Sequence, residues 1–496
     1  MNYKKGFLWQ LGATILLICL AACTTPTPSQ PSLTPITISP SPQEDNLIEP
    51  TPAETSTIPT LTPTKPDQIS STTTQYYFDV ELDYDQKHLE VVQTIIYTNT
   101  IQYAIEELPI LIPPAQKRGV FSLRSAAIDQ TAVRSRLTIR NAQLQLKLEQ
   151  PLESGQQIEI QLEYQLRLPR GAQSLGYTNR QLLLADWYPM IPPYQDGVGW
   201  VINSPGRVGE HLVYTLSDFQ LNLCLLPTSK ELVVAASAPV IEAQDHCLIY
   251  HHQNARNFTL AISPYYRVFI VESDLVTVKS YTFPEHAGLG LRSAELTNQA
   301  WNTFTDLFGD NQREFLSIVE ADIFDGLETD GLILLSEWYY QTADPTPQNY
   351  FELLIVHETA HQWFYAYVHN DQANEPWLDE ALATYCELLY YETHYPNLVD
   401  WWWHFRVAVY TPEGDVNASI YDFRQFRPYI NAVYLRGAMF LQEIRDEVGD
   451  SAFFDALHKY VQSADPASIT TSHDFFAAFS QVSEVDLSPI LLDFFE

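Results

Sequence analysis

His357-Glu358-Thr359-Ala360-His361, followed after eighteen residues by Glu380, decides how this sequence is read. The stretch around it, residues 350–369, has helical periodicity. Leu353, Leu354, Val356, Ala360 and Trp363 recur at three- and four-residue steps. His357 and His361 are four apart, so on a helix they project from one face and can share one ion. Glu358 stands beside that face, better placed for a water on the metal than for the metal. Asn374 and Pro376 break the helix. A second apolar-periodic stretch then begins at Trp377 and carries Leu378, Ala381, Leu382, Tyr385, Leu388 and Leu389. Antiparallel contact of two such helices returns Glu380 to the histidines. Two nitrogen ligands, one carboxylate and an open fourth position make the donor set of catalytic rather than structural zinc. A lone His-Glu-x-x-His also arises by chance on a solvated helix face; Glu380 on a second predicted helix argues against that here.

The pair His357-Glu-x-x-His361 and Trp377-Leu-Asp-Glu380-Ala-Leu-Ala-Thr-Tyr385 resembles the aminopeptidase N family of gluzincin metallopeptidases. Two further pieces agree in order. Asp325-Gly326-Leu327-Glu328-Thr329 is similar to the family's Gly-x-Met-Glu-Asn motif, and Val433-Tyr434-Leu435-Arg436-Gly437-Ala438 to its Tyr-x-Lys-Gly-Ala segment. The upstream motif keeps Gly326 and Glu328 but has Leu327 for Met and Thr329 for Asn. Arg436 keeps the charge of the family's lysine. About sixty residues follow Tyr434, where the family has a long helical-repeat domain, so the likeness is to compact members.

The resemblance implies one zinc ion on His357, His361 and Glu380, with Glu358 as general base toward a metal-activated water. It implies Tyr434 as the oxyanion donor, and Glu328, with Gly326 in its motif, as the group that binds the substrate's free amino end. Thr329 in place of the family's Asn keeps an endopeptidase open beside the exopeptidase. Glu387, seven residues after Glu380 on the same helix face, either orients a ligand histidine or is a surface charge.

The 496-residue chain is long enough for two or three domains, and its formal net charge is −34. Nearly all the acidity lies beyond residue 75, which argues against nucleic acid as a partner and favours solubility; a general acidic surface is a more economical account of it than a preference for cationic peptides. The N-terminus reads as a lipoprotein signal over residues 1–23. Lys4 and Lys5 precede an apolar run at residues 7–20 that is too short for a comfortable span, and Leu20-Ala21-Ala22-Cys23 resembles a bacterial lipobox. An uncleaved anchor or a plain signal peptide are the other readings. Lipid on Cys23 would hold the protein to a membrane on its outer side, at the cell surface or in the periplasm. Residues 24–73, rich in Thr, Ser and Pro, read as a disordered, extended tether.

The expected fold is multidomain: an antiparallel all-β domain over 74–267, then a thermolysin-like α+β, mainly helical catalytic domain over 268–496. Phe78, Val80, Leu82 and Tyr84 alternate with acidic residues, and Ile158, Ile160, Leu162, Tyr164, Leu166 and Leu168 also alternate. In the family this first domain flanks the cleft. The aromatic loop at 187–194 is either cleft wall or packing. Strands are expected at 316–320 and 331–335, and helices at 437–448 and 451–462, with Gly449 as C-cap. Cys224 and Cys247 either pair outside the cytoplasm or pack as free thiols, and Cys386 is expected to be packed. His369, His394 and His404 lack ligand spacing and are expected at the surface.

The expected function is a membrane-anchored extracytoplasmic zinc aminopeptidase. A zinc endopeptidase, another zinc hydrolase and a non-catalytic peptide-binding lipoprotein are the rivals.

Overall fold

The computed structural model describes residues 72–133, 137–140 and 142–495. Cys23, the apolar run and the tether to residue 71 lie outside the described residues. The first half is built on an eight-stranded sheet. Its centre is Thr74–Asp83, where Tyr76, Phe78, Val80 and Leu82 point into the core and their neighbours point out. That period of two follows from the pleat of a half-buried strand. Thr74–Asp83 pairs antiparallel with His88–Thr98 on one side. On its other side it pairs parallel with Ser217–Leu225, so the sheet is not antiparallel throughout. Alternation along a strand fixes which face is buried but not the direction of the neighbour, which is why this pair was not foreseen.

A smaller sheet containing Ile105–Leu111 and Gln143–Leu152 faces the large one, and Leu108, Ile110, Leu144 and Leu146 share a core with Leu89, Ile95 and Ile160. Trp187, Tyr188, Met190 and Ile191 are buried in that core, and the Trp187 indole donates to Phe258 O at 2.9 Å. The aromatic loop is therefore packing. Cys224 and Cys247, register partners on adjacent strands, form a disulfide, and Cys386 is a buried free thiol.

Arg267–Glu272 is the edge strand of a second, five-stranded sheet. The order continues through Thr277–Thr282, Phe315–Ala321 and Leu332–Ser336 to Gly326–Thr329 at the far edge. Helix α1 (Ala287–Phe308) covers this sheet. Short α2 (Glu337–Gln341) follows it, then α3 (Tyr350–Ala360) and α4 (Trp377–His394). Gly437–Val448 and Asp450–Ser463 are further helices near the C-terminus, with Gly449 at φ 81° between them. A third core cluster joins Leu183, Ala235 and Ala261 of the first half to Val319, Leu332 and Leu334 of the second.

Three expectations are corrected. The helix expected over 350–369 stops at Ala360; His361 caps it and the chain then turns, with Tyr365 at φ 136°. The apolar period persists because Trp363 and Phe364 remain buried after the hydrogen-bond ladder ends. His369 is not at the surface: it is 1% exposed, and the Tyr214 N–H donates to its Nε2 at 3.1 Å. His394 is half-buried between Gln299 and Thr303; His404 is exposed as expected.

Candidate metal centre and active site

Asn349 caps α3 by accepting the Glu352 N–H, and every helix residue from Phe351 to Ala360 is buried. A helix apolar all round sits inside a domain rather than on it. Of its four buried polar residues, Glu352 is paired with Arg292 and the Thr359 hydroxyl donates to Ile355 O, which leaves His357 and Glu358 to face an interior space shared with α4. The Asp379 side chain accepts the Glu380 N–H at 2.9 Å near the start of α4.

The three expected ligands converge. His357 Nε2 and His361 Nε2 are 3.3 Å apart, and Glu380 Oε2 lies 3.4 Å from the first and 3.5 Å from the second. Tetrahedral zinc with bonds of about 2.0–2.1 Å needs ligand edges of about 3.3–3.4 Å. The triangle fits such an ion by size as well as by donor type. Burial opposes protonation of His357, yet the Glu380 and Glu387 carboxylates raise it to about 9. Burial would likewise raise Glu380, but the two imidazoles hold it at about 2. The two shifts are two sides of one pairing, in which the carboxylates favour the charged imidazole and the imidazoles favour the charged carboxylate.

The far sides of the imidazoles are fixed. His357 Nδ1 meets Glu387 Oε1 at 3.0 Å, and His361 Nδ1 meets Phe364 O at 3.0 Å. With Nδ1 donating, each Nε2 lone pair is left for a metal, a proton placement assigned from these partners. Glu387 is fully buried, so the surface-charge reading is excluded. Arg406 donates to both of its oxygens at 2.8 Å, and the Trp402 indole donates at 3.2 Å.

Glu358 is 4% exposed and its Oε2 has no hydrogen-bond partner. Burial pushes its carboxyl up to about 8. Gly326 makes room for it, since a Cβ there would lie 1.8 Å from Glu358 Oε1. Two residues on, Glu328 is buried and accepts from the Gln372 amide at 3.1 Å. The Tyr434 hydroxyl donates to Glu380 Oε1, and its ring lies parallel to that of His357 with centroids 6.0 Å apart. Arg436 turns away from the site and donates to Asp493 O.

One group was missed in the sequence. Glu210 brings a carboxylate oxygen within 4.8 Å of oxygens of Glu328 and Glu380. It reaches the site from the β-rich half on a loop pressed against Ile420 and Tyr429. At Gly209, φ is 69° and a Cβ would lie 2.6 Å from Ile420 Cγ2. The available signal was Gly206-Arg-Val-Gly209-Glu210, two glycines leading to a carboxylate, which strand alternation does not pick out.

Residues 323–494 match the domain described as peptidase family M1. The M1 zinc metallopeptidase of Deinococcus radiodurans is similar in fold, at 18% identity and TM-score 0.62, over 86% of this chain and 95% of that one. A mutant two-domain M1 zinc metallopeptidase bound to L-arginine aligns at 19% identity and TM-score 0.61, over 86% and 94%. A mutant of the D. radiodurans enzyme bound to a Tyr-Ser-Ala substrate aligns at 18% identity and TM-score 0.59, over 86% and 94%.

Proposed function

With residues 323–494 matching the peptidase family M1 domain, we propose that the chain is an M1 zinc metallopeptidase and an aminopeptidase that removes N-terminal residues from peptides. The observation that carries this reading is the recess of Glu210, Glu328 and Glu380. Three oxygens no more than 4.8 Å apart can surround an ammonium at about 2.8 Å from each, the length of a charge-assisted hydrogen bond of about 2.7–2.9 Å. Relatives solved with L-arginine and with Tyr-Ser-Ala fit substrates that present a free amino end.

His357, His361 and Glu380 would hold the zinc. When bound, the ion supplies a Lewis acid that acidifies water and polarises the scissile carbonyl. Glu358, buried with one oxygen unpartnered, takes the proton of the attacking water and delivers it to the leaving amine. Tyr434 turns its hydroxyl from Glu380 toward the oxyanion as charge develops there. Glu387 holds the His357 ring and is itself held by Arg406.

We also propose lipid attachment at Cys23 and an extracytoplasmic location. The lipobox-like run supports it, and the Cys224–Cys247 disulfide suits an oxidising compartment. Cys23→Ser should move the protein from the membrane to the soluble fraction; retention in the membrane would leave an uncleaved anchor instead.

The activity is tested with free and N-acetylated versions of one peptide, with and without chelator. Cleavage of the free form alone, lost with chelator, is expected. Equal cleavage of both forms would reject amine recognition and favour an endopeptidase, the reading that Thr329 keeps open. No cleavage by zinc-loaded protein across varied first residues would favour a binding lipoprotein. Glu358→Gln should abolish turnover with zinc retained.

A further inference from the structure

Phe324 is 93% exposed, more than any other large apolar side chain among the described residues. A ring in that position gains none of the roughly 1.5–3 kcal/mol that burial of such a side chain yields. Folding therefore does not account for it. Nor is it on a loose loop. Ile323 O accepts the Ser336 hydroxyl at 2.8 Å, and Asp325 O accepts the Ser336 N–H at 3.0 Å. The Asp325 carboxylate accepts the Tyr339 hydroxyl, and Asp322 is bonded to Thr178 and Arg180. The ring is presented from a turn tied down on both sides. Trp338, 52% exposed, lies on α2 just after the same Ser336, its ring edge-on to Tyr339 at 5.2 Å.

The position along the chain gives these rings a direction. Two residues after Phe324, Gly326 lies against Glu358; two more lead to Glu328 in the amine recess. A peptide laid along the edge strand with its amino end at Glu328 and its scissile bond beside Gly326 and Glu358 would continue toward Phe324, and the paired strand Leu332–Ser336 leads on to Trp338 at the same end. We propose that these two rings clamp an apolar side chain on the first or second residue of the leaving peptide. Peptides that are hydrophobic just downstream of the cleaved bond are then the substrate class. The backbone that carries Phe324 is already fixed by its hydrogen bonds and loses little freedom on binding, which favours such a contact. Asp322 is neutralised by Arg180, but the Asp325 carboxylate is partnered only by the Tyr339 hydroxyl among the described residues, so an acidic downstream residue meets like charge there.

The proposal rests on the aminopeptidase reading, and the test separates the two. The zinc-loaded full-length chain is assayed on Ala-Phe-Ala, Ala-Ser-Ala and alanine amide. The wild type should prefer Ala-Phe-Ala over Ala-Ser-Ala by about tenfold in kcat/KM, the discrimination a hydrophobic contact supplies. Phe324→Ala and Trp338→Ala should each erode most of that preference through KM, leaving alanine amide hydrolysis and zinc content unchanged. Active wild type without the preference, or variants that lower all three substrates equally, would overturn the clamp alone. Failure of the wild type on all three would overturn the aminopeptidase reading and the clamp with it.

Discussion

Gly326 and Glu358 are in direct contact: a Cβ on the glycine would lie 1.8 Å from Oε1 of the carboxylate. The edge strand and α3 are thus matched at the carbon that a side chain would occupy. Gly326→Ala should push the Glu358 carboxyl out of line while leaving the metal ligands in place. A misplacement of about 1 Å at a reacting group costs on the order of 100-fold in rate. Steady-state kinetics with zinc analysis should show kcat falling by that order at full zinc content. Unchanged kcat would mean that the strand yields instead.

Glu387 makes two separable contributions. Toward His357 it fixes the ring; toward Arg406 it neutralises a buried guanidinium. Glu387→Ala should weaken zinc binding by about 10–100-fold, the usual loss for a partner behind a metal ligand. It should also destabilise the fold by roughly 3–5 kcal/mol, because Arg406 is left buried and unpaired. Glu387→Leu combined with Arg406→Met should restore much of the stability but not the zinc affinity. Chelator competition and thermal melting read the two effects apart. Recovery of both by the double variant would show Glu387 to be structural only.

The convergence of the proposed zinc ligands was legible because helical spacing is local: His357 and His361 declare themselves within one turn, and Glu380 within the next helix. Strand alternation likewise marked Thr74–Asp83, since burial of one face leaves a period in the sequence. The parallel partner of that strand left none, because its pairing lies far along the chain. Glu210 was hidden for the same reason; what brings it to the site is the packing of a loop on Ile420 and Tyr429. His369 looked like a surface residue because its partner, the Tyr214 backbone, has no side-chain signature. The end of α3 at Ala360 was hidden by apolar residues that continue past it. Glu387 lay on the right face, but only the position of Arg406 decides between positioning group and surface charge.

Asp330, two residues beyond Glu328, anchors the other end of the edge strand. It is fully buried, yet Arg313 binds both of its oxygens at 2.9 and 2.7 Å and the Arg256 N–H donates at 2.9 Å. Burial alone would raise its carboxyl; Arg313 and then His252 outweigh burial and hold it well below the usual carboxylate range. A carboxylate depressed on folding contributes stability that is fully present above its unfolded value of about 3.9 and declines as pH falls below that. Melting temperature should therefore drop on acidification below about pH 4. Asp330→Asn should lower the melting temperature at neutral pH and flatten that acid dependence. An acid profile identical to wild type would assign the loss to other carboxylates.

Glu210 offers the sharpest test of how the two halves of the chain cooperate, since it is the one member of the acidic recess supplied by the β-rich half. If the recess holds an ammonium, Glu210→Gln removes one of three charge-assisted hydrogen bonds, each contributing about 1.5–3 kcal/mol. KM for free-amine peptides should rise by roughly 10- to 100-fold, with kcat less affected and zinc content unchanged. Activity on an N-acetylated peptide, however small, should not fall, because that substrate brings no ammonium to the recess. The ratio of free to acetylated turnover is therefore the readout, and a general distortion of the site would lower both. A Glu210→Gln variant that keeps the wild-type ratio would remove Glu210 from amine recognition and leave Glu328 and Glu380 to account for it.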